Sequence, residues 1–90
     1  MTNSNISWTL LVREKAKKSA GRFSKKDQER IREVLFELIQ NPFAGDIVKL
    51  ESNENLWRRR VGSFRIKFQI INSEKIIYVY EIKRRTSATY

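Results

Sequence analysis

The sequence contains no cysteine and no histidine among its 90 residues. This excludes disulfide bonds, thiol catalysis, zinc sites and acid–base chemistry by an imidazole, and it fits a reducing compartment. The longest apolar run, Ile76 to Tyr80, is far shorter than the roughly 20 residues that span a bilayer. The first residues, Met1 to Ile6, are polar and lack the pattern of a secretory signal. We therefore expect a cytoplasmic protein that does not use a membrane.

Positive charge is abundant and is concentrated in the second half of the chain. The formal net charge is +9, and residues 56–90 contribute nine basic against two acidic residues, a net +7. Such a basic half is typical of a protein that binds nucleic acid, an anionic surface or an acidic protein. Solubility is the alternative explanation, but it does not require clustering. The length and a 40% hydrophobic fraction predict one domain over residues 1–90 with a modest core.

The stretch from Leu56 to Arg65 predicts a tight β-hairpin. Two strand-like runs flank Gly62 and Ser63, a pair typical of a two-residue turn with glycine in the first position. Because side chains alternate along each strand, this turn gives the hairpin one apolar face. The residues expected on that face are Trp57, Val61, Phe64, Ile66 and Phe68, with Arg59 as the exception.

The other face of this hairpin is expected to be cationic. It would carry Arg58, Arg60, Arg65 and Lys67, with no carboxylate from either strand. The turn would place Arg60 opposite Arg65 and Arg58 opposite Lys67. Like charges directly opposite each other destabilise a sheet, by up to about 1 kcal/mol per pair. This pattern favours a polyanionic partner, since a bound anion would remove the repulsion.

Helical periodicity predicts two helices ahead of the hairpin. A first strand is expected over Ile6–Val12, and a helix over Arg13–Phe23 that ends near Gly21. Ser24 is the expected N-cap of a second helix, which Asn41 and Pro42 would stop. Apolar residues recur on one face of this second helix at the spacing i, i+3, i+4, i+7 and i+8. They are Ile31, Val34, Leu35, Leu38 and Ile39.

Further strands are expected over Ile47–Leu50, Phe64–Ile71 and Ile76–Ile82. Simple alternation in the last strand predicts that one of its faces packs in the core. The residues expected on this face are Ile76, Tyr78, Tyr80 and Ile82. The opposite face would carry Ile77, Val79, Glu81 and Lys83. A three-residue turn before this strand would place Glu81 beside Arg65, and the tail from Arg84 onward is expected to leave the sheet.

The element order β-α-α-β-β-β-β predicts an α+β fold. Two N-terminal helices would pack on one face of a small, mainly antiparallel twisted sheet. The apolar stripe of the second helix and the apolar face of the hairpin supply the matching surfaces. The face left uncovered is the cationic one.

These elements and their order resemble the RelE/ParE superfamily of toxins from toxin–antitoxin pairs, and in particular its RelE-like branch. The resemblance covers nearly the whole chain. Besides the strand-helix-helix start, it rests on Val48 to Leu50, Trp57 to Gly62, Phe64 to Ile66, Arg84-Arg85 and Thr89-Tyr90. RelE-like members cleave mRNA in the ribosomal decoding site, whereas ParE-like members poison DNA gyrase. The resemblance implies a metal-independent endoribonuclease without a cofactor, with a cognate antitoxin, A-site mRNA and ribosomal RNA as partners.

The resemblance also implies which residues act on RNA. The positions that match the RelE-like catalytic residues are Arg58, Arg60, Arg65, Arg84 and Tyr90. Additional RNA contacts are expected from Lys49, Lys67, Lys83 and Arg85. A non-enzymatic gyrase inhibitor of the ParE kind is the main alternative. A nucleic-acid-binding module without catalysis is the third.

RNA carries its own nucleophile, the 2′-hydroxyl, so an enzyme need only align it, deprotonate it and stabilise the phosphorane and the leaving oxygen. Guanidinium groups suit the charge on the non-bridging oxygens. Without histidine, the base must be a carboxylate, a lysine or a tyrosine. Tyr90 is the candidate, because nearby cations would lower its pKa, and Glu81 is its rival. The expected products carry a 2′,3′-cyclic phosphate and a 5′-hydroxyl.

Overall fold

Two helices pack on one face of a five-stranded sheet. The structure, a computed structural model, describes residues 8–51 and 55–84. In chain order the elements are β1 (Thr9–Val12), α1 (Glu14–Gly21), α2 (Lys25–Gln40), β2 (Ile47–Glu51), β3 (Leu56–Val61), β4 (Phe64–Ile71) and β5 (Ile76–Arg84). The strand order is β1-β5-β4-β3-β2, with β1 parallel to β5 and every other pair antiparallel. The predicted α+β fold class is confirmed.

Both helices have the ends that the sequence predicts. The α1 helix ends at Gly21, and the side chain of Ser24 caps α2 by accepting a hydrogen bond from the backbone N–H of Asp27 at 3.2 Å. The α2 helix ends one residue before Asn41. No helix in the described part of the chain is long and apolar enough to cross a membrane.

The core lies between the helices and the face of the sheet that they cover, here called the helix face. Fully burying a large apolar side chain stabilises a fold by about 1.5–3 kcal/mol, so this burial fixes which face of each strand turns inward. The buried apolar side chains are Ala16, Ile31, Val34, Leu38, Val61, Phe64, Ile66, Phe68, Ile70, Ile77, Val79 and Ile82. The opposite side of the sheet, here called the open face, carries the residues that alternate with them.

The predicted β3–β4 hairpin is confirmed, including its register. Val61 pairs with Phe64 across the two-residue turn, and Arg60 pairs with Arg65. Gly62 has a φ of +56°, whereas the φ of the next turn residue is not positive. This combination fits a type II′ turn, in which glycine takes the first central position.

The predicted faces of β5 are wrong for Ile76 to Val79, because the strand contains a β-bulge. Lys67 of β4 lies opposite Glu81, but the next residue, Phe68, lies opposite Val79. Tyr80 is therefore an extra residue without a partner in β4, and it reverses the alternation on either side of it. Ile77 and Val79 are buried on the helix face, whereas Ile76 and Tyr78 lie on the open face.

Two further predictions about β5 are wrong. The strand continues through Arg84, which pairs with Phe64, so the chain does not leave the sheet before this residue. Arg65 lies opposite Lys83, not beside Glu81. The register differs by two residues, because the bulge adds one and because the connection before β5 has four residues, Asn72 to Lys75, where three were predicted.

Candidate functional site

Five cations gather on the open face next to the hairpin turn. Two rows of paired residues cross the strands there. In the first row, Arg60 pairs with Arg65 and Arg65 pairs with Lys83. In the second row, Arg58 pairs with Lys67. The side chains that alternate with them, such as Ile66, are buried on the helix face, so these five face outward. The set Arg58, Arg60, Arg65, Lys67 and Lys83 is called the cationic cluster below.

Only weak ion pairs neutralise this cluster within the described residues. The carboxylate of Glu81 lies 3.7 Å from the Nζ atom of Lys67 and 3.7 Å from that of Lys83. The three arginines of the cluster form no ion pair with a carboxylate among the residues described. Partly exposed pairs at this distance contribute little to stability. The cluster therefore keeps most of its positive potential for a ligand.

Arg65 occupies the centre of the cluster, between Arg60 and Lys83. Its side chain is half-buried, and its Nε atom is shielded from solvent without a hydrogen-bond partner among residues 8–51 and 55–84. An unpaired donor of this kind costs about 1–3 kcal/mol. A small rotation that turned this N–H toward an anionic oxygen would recover that cost.

Arg84 does not join the cationic cluster. It lies on the helix face, where its guanidinium carbon is 5.5 Å from the ring centroid of Phe64. Its Nη1 atom is 3.6 Å from a carboxylate oxygen of Asp27 in α2. The side chain is 55% exposed, so solvent screens this ion pair. The structure therefore separates Arg84 from the other three predicted arginines.

The remaining predicted residues have different positions. Lys49 lies on the helix face of the edge strand β2, with its Nζ atom 6.0 Å from the ring centroid of Trp57. It is therefore on the opposite side of the sheet from the cationic cluster. Arg85 and Tyr90 lie outside the described residues.

Arg59, the exception in the apolar face, points toward the helices and links them to β3. Its Nη2 atom donates to Glu37 of α2 at 2.8 Å, and its Nη1 atom donates to the carbonyl of Ala44 at 3.3 Å. Its side chain is only 11% exposed. This anchoring fixes the alternation of β3, so that Arg58 and Arg60 turn to the open face.

A pocket of about 240 Å³ adjoins the cluster between α1 and β5. Its polar lining consists of Arg13, Lys15, Ser19, Tyr80, Glu81 and Lys83. Partial burial and the negative charge of Glu81 both raise the pKa of Tyr80, so the phenol stays neutral at physiological pH. Sequence reasoning missed this pocket because it placed Tyr80 in the core.

Solved structures of small bacterial and archaeal toxins share this fold. RelE in the archaeal RelE–RelB complex from Pyrococcus horikoshii matches with a TM-score of 0.81 at 23% identity, over 91% of this chain and 99% of that chain. Isolated E. coli RelE matches with a TM-score of 0.78 at 17% identity, over 91% of this chain and 88% of that chain. The YoeB/ParE toxin from Agrobacterium tumefaciens matches with a TM-score of 0.72 at 18% identity, over 87% and 99%.

The fold of this chain is therefore that of RelE-like toxins. Residues 6–88 match the family described as ParE toxin of type II toxin–antitoxin system, parDE, and the chain belongs to this family. A comparison with curated protein sequences found no match. The predicted membership of the RelE/ParE superfamily is confirmed.

Proposed function

We propose that this toxin is a metal-independent endoribonuclease that cleaves mRNA in the ribosomal A site and so stops translation. The observation that supports this most is the unpaired Nε atom of Arg65 at the centre of the cationic cluster. A bound phosphate would relieve the repulsion within the cluster, and a small rotation of Arg65 would let its Nε–H donate to that phosphate. A surface meant only for solubility would gain nothing from packing these cations side by side.

In this mechanism, Arg58, Arg60 and Arg65 bind the non-bridging oxygens of the scissile phosphate. Their planar guanidinium groups form paired, charge-assisted hydrogen bonds that strengthen as the phosphorane gains negative charge. The 2′-oxygen attacks phosphorus while a base removes its proton, and the bond to the 5′-oxygen breaks as that oxygen is protonated. The products are a 2′,3′-cyclic phosphate and a 5′-hydroxyl.

Tyr90 is proposed as the base and Arg84 as the group that stabilises the leaving oxygen. Arg84 must then leave Asp27 on the helix face and turn toward the open face, and its 55% exposure and the 3.6 Å separation make the first of these steps inexpensive. Glu81 is the alternative base, since the bulge brings it onto the open face beside Lys67. Lys67 and Lys83 are proposed to bind the RNA backbone, as are Lys49 from the other face and Arg85.

A cognate antitoxin is proposed to neutralise the toxin. The solved relatives include RelE–RelB or RelBE complexes from Pyrococcus horikoshii, Mycobacterium tuberculosis and E. coli. An acidic segment of such a partner would cover the cationic cluster and compete with RNA for the same guanidinium groups. The toxin would act in the cytoplasm, where ribosomes translate.

The test is expression of the toxin followed by mapping of new 5′ ends on translated and untranslated copies of one transcript. We expect cuts only in the translated copy. Arg65→Ala should lower cleavage by about 100-fold or more, because a transition-state hydrogen-bond donor is lost. Arg30→Ala is the matched control, since it removes the same charge from an exposed position on α2. Equal cleavage by the two variants would exclude Arg65 from the site.

The second candidate function is inhibition of DNA gyrase without cleavage of RNA. It is favoured by the description of the matching family as ParE toxin. Supercoiling defects in expressing cells, with intact mRNA, would support this function over the first. Binding of RNA with neither cleavage nor a supercoiling defect would instead support a nucleic-acid-binding module without catalysis.

A further inference from the structure

We propose that the pocket between α1 and β5 binds an unpaired nucleotide of the RNA substrate, next to the cleaved bond. The ring of Tyr80 would stack on the base, while Arg13 and Lys15 would contact the adjoining phosphate. This inference rests on the proposed RNA-directed function. It assigns a role to residues outside the cationic cluster.

The pocket and the cluster form one continuous surface. Lys83 lines the pocket and also pairs with Arg65 at the centre of the cluster. Arg13 is fixed beside the bulge, because its backbone N–H donates to the carbonyl of Val79 at 2.8 Å. Arg13 directly follows β1, and only β5 lies between β1 and β4. Since adjacent strands lie about 4.8 Å apart, the backbone that continues β1 is only about 10 Å from β4. An RNA strand bound at Arg65 therefore passes the pocket as it continues.

The bulge is what opens this pocket to the cluster. Without the extra residue, alternation would turn Glu81 and Lys83 to the helix face, because Val79 is buried there. With it, both charged residues reach the open face, and Tyr80 lines the gap toward α1. Bulges in sheets commonly redirect a side chain next to a functional site.

The chemistry of the lining suits a nucleotide. Its three cations, Arg13, Lys15 and Lys83, outnumber Glu81, which is already engaged by two lysines at 3.7 Å. Tyr80 offers an aromatic surface on which any base can stack, and as a neutral phenol it does not repel phosphate. At about 240 Å³ the pocket is smaller than the roughly 300–1,000 Å³ typical of small-molecule sites. It suits one base of a longer strand.

The test measures binding of a short single-stranded 2′-O-methyl oligoribonucleotide to the full-length chain by fluorescence anisotropy. Methylation blocks the nucleophile, so binding is measured without cleavage. Tyr80→Leu should weaken binding by about 5- to 150-fold with an unchanged salt dependence, because stacking is lost and charge is not. Tyr80→Phe, which keeps the ring, should bind nearly as the wild type does.

The charge contacts are tested by salt dependence. Lys15→Ala and Arg13→Ala should each lower the slope of log affinity against log salt concentration by about 0.7, the value for one lost contact to a single strand. Lys18→Ala, on an exposed position of the same helix, removes the same charge and should leave the slope unchanged. Thermal unfolding of every variant verifies that the fold is intact.

The outcomes separate this inference from the proposed function. If the wild type cleaves translated mRNA but Tyr80→Leu binds the oligonucleotide as Lys18→Ala does, the pocket assignment is overturned and the nuclease stands. The pocket assignment is also overturned if Tyr80→Leu loses affinity for ribosomes but not for the oligonucleotide, since the ligand would then be ribosomal RNA. If Tyr80 contributes to binding but no transcript is cut, the pocket stands as an RNA-binding site and the nuclease fails. If the wild type binds no oligonucleotide, the pocket assignment fails, and the nuclease is judged separately by the mapping of 5′ ends.

Discussion

Gly45→Ala should cost much more stability when Arg59 is present than when it is absent. Gly45 has a φ of +87°, and a Cβ added there would lie only 2.5 Å from the Cζ atom of Arg59. The guanidinium cannot simply swing aside, because it is bound to Glu37 and to the carbonyl of Ala44. The substitution therefore has two costs, one in the backbone and one from displacing Arg59.

The magnitudes follow from these contacts. A left-handed backbone costs a residue with a Cβ about 1–2 kcal/mol. Displacing the guanidinium loses a hydrogen bond worth about 1 kcal/mol and part of an ion pair, which is discounted because the side chain of Glu37 is 58% exposed. Gly45→Ala should therefore lower the free energy of unfolding by about 2–4 kcal/mol in the wild type. In an Arg59→Ala background only the backbone cost of about 1–2 kcal/mol remains.

The assay is a double-mutant cycle measured by urea unfolding of the four proteins. The expected coupling between the two sites is about 1–2 kcal/mol, well above the 0.3–0.5 kcal/mol within which independent sites add. A coupling below that limit would refute the reasoning that Arg59 packs over Gly45. Similar m-values in all four proteins verify that the substitutions act on the folded state.

Three further predictions concern the N-terminus of α2 and the strand β5. Ser24→Ala removes the side-chain cap of α2 and should destabilise the protein by about 1 kcal/mol in urea unfolding, whereas no change would show that the 3.2 Å hydrogen bond contributes nothing. Asp27→Asn frees Arg84 and should change stability by less than about 1 kcal/mol, while raising the rate of RNA cleavage by up to about fivefold. A lower rate would mean that Arg84 acts from its present position. The pKa of Tyr80 is raised above its ordinary value of 10.0 by partial burial and by Glu81, so its contribution to stability is complete below pH 10 and is lost as the pH rises further. Tyr80→Phe should flatten the decline of unfolding free energy above pH 10, and an unchanged profile would exclude Tyr80 as its source.

The hairpin and the second helix were predictable because local rules determine them. Gly62 and Ser63 specify a two-residue turn, and the turn length then sets which residues of β3 and β4 lie opposite each other. The same register brings Arg58, Arg60 and Arg65 to one face. Likewise, α2 begins at the predicted N-cap and buries Ile31, Val34 and Leu38 of the predicted apolar stripe, while Leu35 and Ile39 are partly buried.

The bulge could not be predicted, since every residue from Ile76 to Tyr80 is apolar. A strand that is apolar at each position gives no alternation from which its faces can be assigned. The packing of Ile77 and Val79 against the helices determines which residues of β5 face inward. Arg84 was misplaced for a related reason, because its contacts with Asp27 and Phe64 join elements far apart in the sequence.

The parallel pairing of β1 with β5 has a consequence for the order in which the protein is completed. Thr9 to Val12 are synthesised well before their hydrogen-bonded neighbours, Ile76 to Val79. Until β5 has been made, β1 has no partner strand, whereas β2, β3 and β4 can already pair with one another. Lys83 and the pocket also depend on β5, so the surface proposed to bind RNA is assembled only after this strand has been synthesised and has paired.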